Sequence, residues 1–268
     1  MKLYTDIVTD YLAGRSLATH MQEWFFTQPG YCFQEPDGSD AQKAAVRQVY
    51  EQVLRTVETF VPSNRLIWDA LFPDWQDILR GAETALIVGY TPPNDAVVLK
   101  SPAGVDTAVL DMGLWAEYLG AVPVERVAHN LLTHELCHVC IHRHRPELDA
   151  AQETGDYLSR LDAFTFDEGF AHFVSYNGLE ADRVDWDAPD LRAVWTRSAA
   201  AMRSARQETR PAQQQEQLHS AVFGSYYDKY ACMCGLHYLA RCWQEGGPAR
   251  LAEEFAAGWQ GFAEKTLF

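Results

Sequence analysis

Apolar residues recur at three- and four-residue intervals over most of this chain, and gather into short runs only between residues 84 and 112. The first pattern gives a helix one apolar face; the second reads as strands. Helical spacing covers residues 4–24, 41–60 and 65–79, so the first 80 residues are expected to be mostly helical. Pro73 should break or kink the third segment. Loops at Gln28-Pro29-Gly30 and Glu35-Pro36-Asp37-Gly38-Ser39-Asp40 separate the first two, with Asp40 placed to cap the second. Strand-like runs at 85–90, 96–99 and 107–110 are broken by Pro92, Pro93 and Asn94 and by Pro102-Ala103-Gly104. Residues 190–265 return to helical spacing, interrupted at Arg210-Pro211 and Gly246-Gly247-Pro248, with the Gln-rich stretch 213–217 as a solvated helix surface or loop. The expected fold class is α+β, mostly helical with a small sheet.

A further helix is expected from Pro123 and Glu125 to just short of Pro146. Within it Val127, Leu131, His134, His138 and Ile141 form one stripe, apolar on both sides of two histidines. His134-Glu135-Leu136-Cys137-His138 reads H-E-x-x-H. Residues four apart share a helix face, so His134 and His138 can grip one metal ion, and Glu135 beside that face can take a proton from a metal-bound water. The bland alternative is two core histidines on one face. The pattern suits a zinc hydrolase with one Zn2+ per chain.

A catalytic zinc site needs three protein ligands and one open position. Glu168 begins a second amphipathic segment in which Phe170, Phe173 and Val174 are apolar. At this point the chain resembles the gluzincin metallopeptidases, whose H-E-x-x-H is followed by a helix carrying an acidic ligand in an N/D-E-G-F/L-A stretch. Asp167-Glu168-Gly169-Phe170-Ala171 matches that stretch. The resemblance implies a zincin-like metallopeptidase domain with a small mixed or antiparallel sheet before the metal-binding helix, Glu168 as third ligand and Asp167 behind it. Residues 139–167 make a longer gap than in the aminopeptidase branch of the clan, more like its predicted zinc-dependent proteases. The extra length holds residues 147–161, an expected helix. For Glu168 the bland alternative is a carboxylate at a helix N-terminus. His172 is a rival ligand that would close the site and make it structural, and is placed instead behind the ligands or in the core. His142 is a weaker rival. His144 and Arg143 read as a solvated helix end, and His129 as structural.

In the aminopeptidase branch a tyrosine of a Y-x-K-G-A segment stabilises the oxyanion. Tyr227-Asp228-Lys229-Tyr230-Ala231 stands in the corresponding place, with Tyr230 where that pattern has glycine. The resemblance points to Tyr227, with Tyr226 and Tyr230 as near alternatives and His219 and His237 as other donors. Ordinary aromatic packing is the plain alternative. No counterpart of the G-x-M-E-N segment, which binds the free amine in that branch, is present. The resemblance also makes the strand near residues 106–112 the cleft edge, where an extended peptide could pair. The implied function is a zinc metallopeptidase hydrolysing peptide bonds through a water that Glu135 activates. The alternatives are a silent or regulatory peptidase-like binding module, and a zinc hydrolase of a non-peptide substrate. Residues 1–80 are expected to form an N-terminal helical region packed on a catalytic domain of residues 81–268.

The composition narrows the partners. A net charge of −15, from 37 acidic and 22 basic residues, argues against a nucleic-acid binder and against anionic membranes. Peptide or protein substrates are the expected partners, and the oligomeric state is open. No apolar stretch is long enough to span a bilayer, and Asp6 and Asp10 interrupt any signal-like start, so a cytoplasmic location is expected. Six cysteines include Cys137-x-x-Cys140 and Cys232-x-Cys234. Both pairs fall in expected helices, where they read as small buried residues rather than a zinc ribbon or disulfides.

Overall fold

A computed structural model describes residues 1–92 and 95–267; Pro93 and Asn94, in the expected turn, lie outside the described residues. The elements in order are β1 (Lys2–Tyr4), α1 (Asp6–Leu12), α2 (Asp40–Glu58), α3 (Arg65–Leu71), α4 (Trp75–Gly81), β2 (Glu83–Ile87), β3 (Ala96–Lys100), β4 (Asp106–Asp111), α5 (Met112–Trp115), α6 (Val124–His144), α7 (Glu147–Thr154), α8 (Tyr157–Ser175), α9 (Pro189–Gln207), α10 (Pro211–Val222), α11 (Tyr230–Ala257) and α12 (Phe262–Lys265), with short 3-10 turns among them. The fold is α+β and mostly helical, as the hydrophobic pattern predicts. Two compact units are formed: Met1–Pro62 with Gln76–Val139, and Ser63–Trp75 with Cys140–Phe268.

The first unit is built on a four-stranded mixed sheet of order β1-β2-β4-β3. β1 and β4 both pair with β2 in parallel, and β3 pairs antiparallel with β4. The central strands β2 and β4 are almost wholly buried, as continuous apolar runs should be. β4 therefore is not the cleft edge expected for residues 106–112: the sheet's edges are β1 and β3. α2 buries Val46, Val49, Val53 and Val57, one face at helical spacing. Its N-cap is Ser39, whose hydroxyl accepts from Gln42 N at 3.2 Å, while Asp40 is already the first helical residue. α1 ends at Leu12, far short of residue 24, because Gly14 takes a left-handed φ of 70° and turns the chain. β1 carries no sequence signal, since three residues are too few for a period.

The second unit is helical. α8 and α11 cross at two glycines: a Cβ on Gly169 would lie 2.8 Å from Gly235 Cα, and one on Gly235 would lie 2.6 Å from Gly169 Cα. Phe166 and Phe170 of α8 pack with Phe255 and Phe262, ring centroids 5.1–6.1 Å apart. Residues 147–161 are not one helix. α7 stops at Gly155, where a side chain would strike Ala151 O, and Asp156 caps α8 by accepting from Ser159 N at 3.0 Å. Pro73 separates α3 from α4, as expected. The sharp bend at Gly246 and Gly247 interrupts α11 just before Pro248.

Candidate metal site

α6 has the expected bounds, and Pro123 O accepts from Arg126 N at 3.0 Å and Val127 N at 3.1 Å to start it. Its deepest face, however, runs through Val124, Ala128, Leu132 and Leu136, each 2% exposed or less. The stripe holding Val127, Leu131 and His134 is half-buried, and only His138 and Ile141 along it are buried. The histidines thus sit on the flank of the buried face, not at its centre. His138 Nε2 lies 3.2 Å from His134 Nε2, with the rings nearly perpendicular at 82°. A tetrahedral zinc with bonds of about 2.0–2.1 Å separates two nitrogen ligands by about 3.3 Å, so this pair has the spacing of two ligands on one ion. Glu135, between them in sequence, is 9% exposed.

One residue near Glu135 escaped the sequence reading. Tyr31, in the loop after the first helix, has a phenol raised by burial and by the negative charge of Glu135. The loop is fixed to the end of β2: Tyr31 and Tyr90 rings lie 5.4 Å apart, Phe33 pairs with Tyr90, and Gln34 N donates to Gly89 O at 2.7 Å. No pattern in residues 25–38 could have signalled this.

Glu168 lies in the middle of α8, not at the start of a helix, so the helix-dipole alternative for it falls. Its Oε2 is 3.2 Å from His172 Nδ1 and 3.6 Å from Cys232 Sγ, and its backbone carbonyl accepts from the same His172 nitrogen at 2.9 Å. Burial and the Glu168 carboxylate push the Cys232 thiol well above its ordinary range, so it carries its proton. Asp167, 4% exposed, takes Gln152 Nε2 at 2.9 Å and His142 Nε2 at 3.1 Å on one oxygen, while His142 Nδ1 meets Asp149 at 3.2 Å. A buried carboxylate needs such partners. α7 supplies Gln152 to Asp167 and Asp149 to His142, which is what the long stretch before α8 contributes here.

The other expected donors separate. Tyr227 Oη pairs with Tyr176 Oη at 3.2 Å, and the Tyr226 ring stands 5.3 Å from that of His172. Tyr230 turns inward and donates to Gln217 O at 2.9 Å. His219 stacks on Phe223 and His237 on Trp195. His129 meets Val61 O at 2.7 Å, a structural role. Arg143 is exposed, and His144 beside it is half-buried, meeting Asp74 at 2.8 Å and packing on Phe72. The six cysteines form no disulfide, and five are buried. Cys232 and Cys234 point apart as expected, the first to Glu168 and the second into a cluster with Leu161 and Met202.

Among the described residues, His134, His138, His142, Asp167, Glu168 and His172 fall into two separate groups that could hold a metal ion, with His134 in one and His138 in the other. No described helix is long and apolar enough to cross a membrane. The chain matches no family model, no curated protein and no solved structure.

Proposed function

We propose that the protein is a zinc metallopeptidase of gluzincin type, acting on peptides or proteins. His134, His138 and Glu168 would hold one zinc, which when bound would lower the pKa of water and polarise a carbonyl. The observation that carries the reading is the facing pair of imidazole nitrogens 3.2 Å apart, with Glu135 next to His134 in the chain. Glu135 takes the proton of the attacking water and passes it to the leaving amine. Two neutral imidazoles and one carboxylate would bring a single negative charge to a divalent ion, leaving it the net charge that favours such a deprotonation. Tyr227 donates to the developing oxyanion, with Tyr226 as its near alternative.

The test is metal content by mass spectrometry of the wild-type chain and of Glu168→Ala, followed by cleavage of a peptide library. One zinc per chain, lost or weakened in Glu168→Ala, and cleaved peptides support the reading. No zinc, or zinc indifferent to Glu168, overturns it. His172, 3.2 Å from Glu168, favours a second reading in which a closed metal site serves structure only. Tightly bound zinc with no cleavage of any peptide would bring that reading forward.

A further inference from the structure

Cys232 is the third residue of α11, it is fully buried, and no part of the proposed chemistry uses it. The glycine crossing explains why it reaches Glu168. With Gly169 against Gly235, the backbones of α8 and α11 approach so closely that a Cβ on either glycine would clash with the other helix. A side chain of one sulfur atom then spans the gap from α11 to the carboxylate of the neighbouring residue, Glu168, at 3.6 Å. The sulfur has a second acceptor within reach, Ala221 O at 3.7 Å. A charged carboxylate is the stronger acceptor of the two. His172 Nδ1 meets the same carboxylate oxygen at 3.2 Å, so one oxygen of Glu168 is held from two directions, by α8 itself and by α11.

We propose that Cys232 is a positioning residue for Glu168, its S–H donating to Oε2 and, together with His172, fixing the carboxylate in the orientation that holds the metal. The role rests on the metal reading above. Groups that orient metal ligands from behind commonly change affinity by about 10–100-fold when removed.

Two measurements test it. The first is the S–H stretching band in the infrared, assigned to Cys232 by its loss in Cys232→Ala. A thiol bonded to a carboxylate should shift when the acceptor becomes a neutral amide, so the band is expected to move in Glu168→Gln. A band that does not move assigns the thiol to Ala221 and overturns the proposal. The second is zinc affinity by competition with a chelator. Cys232→Ala is expected to bind zinc about tenfold more weakly than wild type. Cys232→Ser, which keeps a donor and suits the measurement if the alanine variant unfolds, is expected to bind more tightly than Cys232→Ala. Equal affinity in wild type and variants, with zinc bound in all, overturns the positioning role alone. A wild-type chain that takes no zinc overturns the metal reading and this inference together.

Discussion

Gly235 Cα stands where a side chain on Gly169 would go, 2.8 Å from the position of its Cβ. The glycine following Glu168 is therefore a packing requirement of the α8–α11 crossing, apart from any role at a metal. Gly169→Ala should force the helices apart at a cost of about 1–3 kcal/mol, the usual range for overpacking. A fall in thermal midpoint with unchanged secondary structure is the expected result. An unchanged midpoint would mean the crossing is looser than its geometry.

Glu135→Gln keeps the shape of the side chain and removes its ability to accept a proton. Zinc content should stay at the wild-type level, and peptide cleavage should drop by about 10²-fold or more. Full activity in this variant would remove Glu135 from the role of base.

Tyr227→Phe deletes the hydroxyl that pairs with Tyr176 at 3.2 Å. As an oxyanion donor it should lower kcat by about 10²-fold with little change in KM. Tyr226→Phe is the matched control. A loss confined to Tyr226→Phe would move the donor by one residue, toward the ring that stands against His172.

Asp111, 1% exposed, accepts four backbone N–H groups: Gly89 at 2.8 Å, Tyr90 at 2.6 Å, Gly113 at 2.7 Å and Leu114 at 3.0 Å. It ties the end of β2 to the start of α5. Asp111→Ala leaves these donors without their acceptor and should cost roughly 3 kcal/mol or more. Urea unfolding measures it, and a loss below about 1 kcal/mol would show that water or a backbone shift replaces the carboxylate.

His237 stacks on Trp195 with ring centroids 4.8 Å apart. Burial, with the Arg241 charge adding to it, pushes its imidazole from 6.5 down to about 4. The unfolded chain binds this proton more tightly than the folded one. The stability His237 contributes is therefore complete above about pH 6.5 and is lost as pH falls through that value toward about 4. His237→Phe should flatten the stability profile in this window relative to wild type. Parallel profiles for the two chains would contradict the depressed pKa.

The sequence alone determined the elements whose cause is local. Periodicity marked α2, α6 and α9 because a buried stripe must repeat every three or four residues. The runs at 85–90 and 107–110 marked β2 and β4 because buried strands are continuously apolar, and the run at 96–99 marked the half-buried edge strand β3. His134 and His138 were legible as a pair because one helix sets their spacing, and no other part of the chain is needed for it. Tertiary structure decided the rest. β1 exists only because β2 offers it a partner, and the position of β4 inside the sheet follows from pairing on both sides. Asp167 finds Gln152 and His142, and Glu168 finds Cys232, through contacts between helices distant in sequence. Such meetings leave no period to read, because they depend on how closely two backbones approach. Here that distance is set by two glycines, Gly169 and Gly235, 66 positions apart in the chain.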